Sequence, residues 1–435
     1  MSFKPHKLAA TAALLMSSSV ALAIPFGSFD SRSMAMGGAG VAVGGADAAP
    51  LFNPALLSVA QDKDDFALIL PTIGVRIADP DKLLDSIDQF QKNDYIGQLN
   101  TAITNLNAAA TPAAATIAAQ QVSTAITNVS NQLTTLSNKP IAVDGGVATV
   151  VGLPSKKFGV AFYANAAVAT GGLFKYNDAT QLGTLANNSQ LCATDPTVNA
   201  NACTAVKNFQ TTSLTSGINF KGVALGEFGF SLSREFNIAE HGVAFGITPK
   251  IVKAQLFDAQ LKVNSSNQSN VTGADYLAEY SFVNFDLGVA KNYSNGWRTG
   301  FVVKNVIPQT LDFKKAPTPG ATPVATGEQL SLKPQARIGV SHANSWSTVA
   351  LDVDMTRNDP AGFENSTQYV ALGGELNAWD WAQLRAGYRV DMVNSERNVT
   401  SVGLGFSPFG VVHADLAVAG NATEIGASFQ LGVHF

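Results

Sequence analysis

The chain has 435 residues, a formal net charge of −4 and only 14% charged residues, while hydrophobic residues make up 46%. That balance excludes a nucleic-acid-binding surface, which needs clustered positive charge, and a solvating acidic tail. With 38 glycines and 25 phenylalanines, the mixture suits alternating strands better than soluble helices.

Two lysines in MSFKPHK precede an apolar run from Leu8 to Val20, followed by Ala21-Leu22-Ala23 with the small-x-small pattern of a cleavage site. Residues 1–23 therefore read as a secretory signal peptide, and the mature chain is expected to begin at Ile24. The run is too short to span a bilayer, and no later segment has the roughly 18 or more apolar residues of a transmembrane helix.

Residues 24–62 follow neither a strand nor a helix period. The glycines Gly37, Gly38, Gly40, Gly44 and Gly45 mark a tightly turning segment and are expected to permit positive φ and close approach. A dinucleotide cradle is not expected, because Val43 stands three positions after Gly40 and no strand precedes the cluster.

From residue 63 to 435 the pattern is that of strands. Period-two runs predict fourteen of them, near 66–78, 140–153, 157–174, 213–236, 242–262, 277–293, 296–314, 329–343, 346–358, 367–379, 381–393, 398–407, 410–420 and 425–435. In the run from Ala382 to Met392, Leu384, Ala386, Tyr388 and Val390 alternate with Gln383, Arg385, Gly387, Arg389 and Asp391. An outer face that is wholly apolar and an inner face that is polar describe a closed barrel in lipid, where every backbone group pairs between strands. Short connections (PSKK, NIAEHG, SNG, ANS, the Asp380 corner) alternate with long ones at 79–139, 175–212, 263–276, 315–328 and 359–366. The long class is expected on the outer surface, with both termini in the periplasm. The outward aromatics Phe158, Phe162, Phe245, Phe285, Phe301, Tyr388 and Phe429 could form interfacial girdles or fill the lipid-facing band, and either way report membrane.

The first long connection departs from this pattern. Ile96, Leu99, Ile103 and Leu106, then Val122, Ile126, Val129, Leu133 and Leu136 after a Thr111-Pro112 break, follow helical spacing. They predict an insertion at 80–138 of two antiparallel helices packed on each other, started by Asp79 as N-cap and Pro80 as first helical residue. Cys192 and Cys203 are expected to form one disulfide pinning an outer loop, since their spacing fits no zinc pattern. No metal or cofactor is expected.

The lumen-facing positions gather Lys250, Asp286, Arg337, Asp352, Asp354, Glu375, Arg385, Arg389 and Asp391. These charges could hold a ligand head group, for example a carboxylate on Arg385 or Arg389; the reading favoured is that they pair with one another and with the plug, as a polar lumen ordinarily does. His413 and Asp415 share the inner face, but no serine is placed beside them by spacing, so no enzyme is expected. Asn165 and Gly171-Gly172 are weak signals of a kink in the third strand that would hint at a lateral gate.

The run RSMAMGGAGVA followed by NPALLS resembles the N-terminal hatch of the FadL-type long-chain fatty-acid transporters, and more closely the TraF-like outer-membrane family of plasmid conjugal transfer. The likeness is strong over residues 28–60 and looser across the rest. It implies an all-β fold, a fourteen-stranded antiparallel transmembrane β-barrel with an irregular N-terminal plug; the helical spacing at 80–138 adds a helical hairpin in the first extracellular loop. Gly37, Gly38, Gly40, Asn53, Pro54 and Ala55 carry the hatch motif, with the Asn-Pro-Ala run as anchor. The implied activity is passive transport of small hydrophobic molecules, with a structural role in a mating apparatus as the alternative. Outer-membrane lipids, a hydrophobic small molecule and conjugation proteins are the implied partners. The aromatic end at Phe435 resembles the signal read by the barrel-assembly machinery. The insertion at 80–138 matches none of the fatty-acid transporters' ligand-capturing loops, which leaves the substrate open.

Overall fold

A period of two puts alternate side chains on opposite faces, and a sheet with one greasy and one polar face gains most by closing on itself in lipid. The computed structural model describes residues 29–59, 65–238, 240–263, 277–315, 321–358, 362–363, 366–378, 381–408 and 410–434. The expected signal peptide at 1–23 and the terminal Phe435 lie outside them.

The chain opens with two short helices, α1 (Ser31–Ala35) and α2 (Ala49–Phe52), and a 3-10 turn at Pro54–Ser58. Strands β1 (Ala67–Ala78), β2 (Pro140–Leu153), β3 (Gly159–Lys175), β4 (Gly217–Ile238), β5 (His241–Lys262), β6 (Leu277–Asn292) and β7 (Trp297–Lys304) follow. After β8 (Gln309–Lys315) and β9 (Val324–Leu332) come β10 (Gln335–Ala343), β11 (Ser347–Asp354), β12 (Tyr369–Ala378), β13 (Ala382–Asp391), β14 (Val399–Phe406), β15 (Val412–Gly420) and β16 (Glu424–His434). Fourteen of these form one closed antiparallel barrel in the ring order β1-β16-β15-β14-β13-β12-β11-β10-β7-β6-β5-β4-β3-β2. Closure is made by β1 on β16, with Ala67 opposite His434.

The faces sort as alternation demands. Along β13, Leu384, Ala386 and Tyr388 are exposed while Arg385 and Asp391 are buried. Phe158, Phe162, Phe245, Phe301, Tyr388 and Phe429 are exposed on the outer face, and Phe285 is half-buried there. Proline falls where the ladder slips. The β1 register shifts between Ile69 and Thr72, across Pro71, and the β4–β5 pairing skips a step beside Pro249, because a proline has no N–H to give a ladder.

Two expected strands are corrected. The runs at 296–314 and 329–343 each contribute only their inner part to the wall, as β7 and β10. Their outer parts, β8 and β9, pair with each other as a separate two-stranded hairpin. The residues between explain the departure: Asn305 adopts φ +54°, and Pro308 and Pro334 flank the hairpin without a ladder donor. The long connection expected at 315–328 therefore gives Val324–Glu328 to β9, and the barrel count remains fourteen.

The insertion holds three helices, not two: α3 (Leu83–Lys92), α4 (Tyr95–Ala108) and α5 (Pro112–Leu136). Asp94, at φ +47°, starts α4 by accepting from the Gly97 N–H. Asp79 sits one turn ahead of α3 instead of at its N-cap, and its carboxylate accepts from Leu83 N at 2.6 Å and Leu84 N at 3.0 Å. Pro80 lies in the preceding turn, outside the helix. Thr111 caps α5, accepting from Ala114 N at 3.2 Å, with Pro112 in the first turn. Leu99, Leu106, Val122, Ile126, Val129, Leu133 and Leu136 are buried in one cluster with Ile141, Phe174 and Ile218 of the barrel rim. At about 1.5–3 kcal/mol for each large side chain buried, the seam is consumed by self-packing.

Two further helices, α6 (Ala179–Thr194) and α7 (Ala200–Lys207), join this cap and are linked by the Cys192–Cys203 disulfide. Asp178 ties α6 to the rim, accepting from Thr215 N at 2.9 Å and Ser216 N at 2.7 Å. Burial works against its charge, yet hydrogen bonds from Ser216 and Thr215 hold its carboxyl below the usual range. Among the described residues no helix is long and apolar enough to cross a membrane.

Candidate functional site

The segment Phe29–Val59 has no ladder of its own and lies inside the barrel, so the backbone groups that its own turns leave over are met by the wall. Asp352 of β11 accepts from Gly40 N at 2.8 Å and Val41 N at 2.9 Å. Ser401 of β14 accepts from Gly37 N at 3.0 Å and donates to Ala35 O at 2.9 Å. Arg337 of β10 donates to Gly38 O at 3.0 Å, and Ser341 to Ala42 O at 2.9 Å. From the plug side, Arg32 holds Glu375 of β12 with two bonds of 2.8 Å and donates to Val43 O at 3.0 Å. A hydrogen bond to a charged group is worth about 1.5–3 kcal/mol, so four or five of them set the plug's position.

Glycine supplies the close approach. Of the described plug glycines, only Gly37 and Gly38 take positive φ, at +72° and +98°. The expectation of positive φ at Gly40, Gly44 and Gly45 is corrected: Gly40 makes room for the Phe52 ring, Gly44 packs on Gly40 O and Leu56, and Gly45 lies against Asp47. The wall answers with glycines of its own. A Cβ on Gly373, Gly387 or Gly403 would collide with Met36, Gly37 or Ala35 respectively.

Asn53 donates from Nδ2 to Val41 O and to Val289 O, both at 3.1 Å, and accepts at Oδ1 from Ala55 N at 3.1 Å. It therefore joins two parts of the plug to β6 and starts the 3-10 turn, with Pro54 in its first position. Ala55 O accepts from Ser233 Oγ at 3.3 Å, and Gly246 makes room for the Pro54–Ala55 backbone.

The remaining lumen charges pair in the wall. Arg337 meets Asp354 at 2.6 Å; Arg385 lies between Glu375, at 2.7 Å, and Asp415. Lys250 is fully buried between Glu227 at 2.8 Å and Asp286 at 3.0 Å. Arg389 reaches Glu424 at 3.1 Å and stacks 4.4 Å over the Tyr369 ring. Asp391 accepts from Gln368 N at 3.2 Å and Val393 N at 3.0 Å. His413 and Asp415 go to different partners, His413 Nδ1 to Ser407 Oγ and Asp415 to Arg385. Among the described residues no cluster of His, Cys, Asp or Glu could hold a metal ion.

Reading the sequence missed Arg32, Glu227, Glu424 and the Arg76–Asp144 pair. Glu227 was legible, since it shares the inward parity of its strand with Ser231 and Ser233. Arg32 stands outside any period, and nothing local marks it.

The plug separates two cavities. One of about 110 Å³ opens toward the long connections, lined by Phe29, Met34, Arg76, Tyr369, Arg389 and Val399 among others. The other, of about 410 Å³, lies toward the short turns, lined by Arg32, Asp47, Gln383, Arg385, His413 and Gln430 among others. Ser33 of α1 lines both, so this helical turn lies between them, continued by Gly38 on one side and Ala39 on the other. The β3 ladders run unbroken through Asn165 and Gly171-Gly172; Gly171 instead lets the backbone of Gly362 and Phe363 pass close by.

The family described as "F plasmid transfer operon, TraF, protein" matches residues 50–354, from the plug's second helix to the end of β11. The chain belongs to that family. Among solved structures, a Pseudomonas aeruginosa FadL homologue is similar with a TM-score of 0.51 at 12% identity, over 95% of this chain and 99% of that one. A TodX monoaromatic hydrocarbon channel, the deltaS2S3 mutant, gives 0.50 at 12% identity over 93% and 98%. The Ralstonia pickettii toluene transporter TbuX gives 0.49 at 13% identity over 93% and 98%. At such identities the likeness carries the fold alone, and the fold is that of the FadL-type outer-membrane barrels. No curated protein matches the chain.

Proposed function

We propose that this chain is an exported outer-membrane channel through which small hydrophobic molecules move passively. In this reading 1–23 is cleaved as a signal peptide, 24–62 is the plug and 63–435 the barrel, with the helical cap outermost. The observation that carries it is the partition: a single turn of α1, seated on glycine and held by side-chain hydrogen bonds, stands between a cavity at each end of the lumen. Such a contact can yield without breaking any barrel ladder. The similar TodX structure is named a monoaromatic hydrocarbon channel, which supports an apolar cargo here, with outer-membrane lipids around the barrel and the assembly machinery engaged through Phe435.

Uptake of toluene into vesicles bearing a lipopolysaccharide outer leaflet checks the proposal. The intact protein is expected to raise the rate above empty vesicles, and a variant lacking residues 28–57 is expected to alter it. Equal rates with intact protein and with empty vesicles would sink the idea.

The family description favours a second reading, a structural part of a conjugation apparatus, with the helical cap offered to partner proteins. Its measure is transfer frequency after excision of 80–138; unchanged mating with a normally assembled barrel counts against it.

A further inference from the structure

The lumen is not polar throughout. Toward the long-connection end, the inward positions of β4, β5 and β6 turn apolar: Val223 and Leu225, then Val252, Ala254 and Leu256, then Ala278. This strip is dry because the β8–β9 hairpin folds back over it, burying Leu311, Phe313, Leu330 and Leu332 against it. Among the described residues the hairpin pairs with no barrel strand, and side chains of the wall hold it down. Tyr280 Oη donates to Asp312 O at 2.8 Å and accepts from Asp312 N at 3.1 Å. Lys221 of β4 makes an ion pair with Glu328 of β9, lies 6.0 Å from the Phe313 ring centre, and reaches 5.3 Å from Phe363 of the β11–β12 connection. The stem is fixed, with Asn284 bonding both the N–H and the carbonyl of Ile307 at 3.0 and 2.9 Å. Pro308 begins the part that leaves the wall.

We propose that the strip on β4–β6 is a covered binding site for an uncharged apolar molecule, that the β8–β9 hairpin is its hinged cover, and that the Lys221–Glu328 pair latches it. The chemistry of the strip selects the ligand. Its buried residues are aliphatic, with Tyr280 and Phe282 packed beside them, and a molecule replacing the hairpin's leucines and Phe313 must bury apolar surface there without bringing a charge into it. The latch is suited to release. Glu328 keeps half of its side chain in solvent, at 52%, and a pair this exposed biases an equilibrium by roughly fivefold or less. No main-chain ladder to the wall has to break when the cover lifts.

This inference deepens the channel reading and rests on it for the direction of traffic, but its test reads the cover itself. Both native cysteines are in the disulfide, so a Leu330→Cys variant carries a single thiol, at a position only 4% exposed. Labelling by a hydrophilic maleimide in detergent is expected to be slow, while Val324→Cys, exposed at 57%, labels fast. Adding Lys221→Glu should speed labelling of Cys at position 330 by about fivefold, and adding Glu328→Lys to that variant should restore the slow rate. Toluene should speed it in the otherwise unchanged protein, whereas benzoate at the same concentration should not. Retention of a folded, heat-modifiable barrel in each variant separates release from unfolding. An unaltered rate with Lys221→Glu or failure of the charge swap overturns the latch, and an unaltered rate with toluene overturns the site. If labelling responds as expected while vesicle uptake does not exceed that of empty vesicles, the site stands and the transport reading falls.

Discussion

Lys250→Met is expected to cost the barrel about 3–5 kcal/mol, because it leaves two carboxylates buried without their cation. Lys250 has no exposed side-chain surface, and Glu227 and Asp286 hold it at 2.8 and 3.0 Å. The ammonium also stands between two strands: Glu227 comes from β4 and Asp286 from β6, with Lys250 on β5. Its loss therefore frees like charges on the strands flanking the Pro249 slip, where the ladder is already short of a donor. Reversible urea unfolding in lipid vesicles measures the effect. Neutralising the whole cluster, with Glu227→Gln and Asp286→Asn added to Lys250→Met, should recover most of the loss, since the cost arises from the orphaned charges. A loss under about 1 kcal/mol for Lys250→Met alone contradicts the buried triad.

The second large effect falls on the plug and spares the wall. Asp352→Ala removes the acceptor for both Gly40 N and Val41 N, and a buried donor left unsatisfied costs about 1–3 kcal/mol. Two such donors amount to roughly a hundredfold shift in the opening equilibrium, at a factor of ten per 1.4 kcal/mol. Hydrogen exchange at Gly40 and Val41 should therefore accelerate by about a hundredfold. Amides of β10 to β12, whose ladders do not pass through this carboxylate, should keep their protection. Equal acceleration in wall and plug would mean that Asp352 supports the barrel as a whole.

The barrel was legible in the sequence because its physics is local and repeated. Leu384, Ala386 and Tyr388 against Arg385, Arg389 and Asp391 is a two-face pattern that the lipid and the lumen each read directly. Where the fold leaves the period-two pattern, another force has taken over. At 296–314 and 329–343 the alternation continues without interruption into β8 and β9, but Pro308, Pro334 and the left-handed Asn305 decide that those residues leave the wall. Periodicity cannot see that, since both faces of the hairpin remain properly patterned. The three-helix cap was hidden for a similar reason: Asp94 in a left-handed turn breaks an otherwise helical run.

The plug was legible as a segment and not as a site. Its glycines announce close approach, yet which of them needs positive φ depends on wall glycines at 373, 387 and 403, hundreds of residues away. Arg32, whose bidentate hold on Glu375 joins α1 to β12, has no periodic neighbours to point to its role. The charges of the lumen could be named from parity, but their pairing required the register: Glu375 lies opposite Arg385 in the β12–β13 ladder, and Arg32 reaches it from the plug.

In the proposed channel the segment Phe29–Val59 closes the barrel, with one turn of α1 between the two cavities. Single-channel recording in planar bilayers tests it most directly, comparing the intact protein with a variant lacking residues 29–57. A closed or weakly conducting intact protein and large, stable steps from the variant are the predicted result. Equal conductance from two folded, inserted proteins would contradict the account.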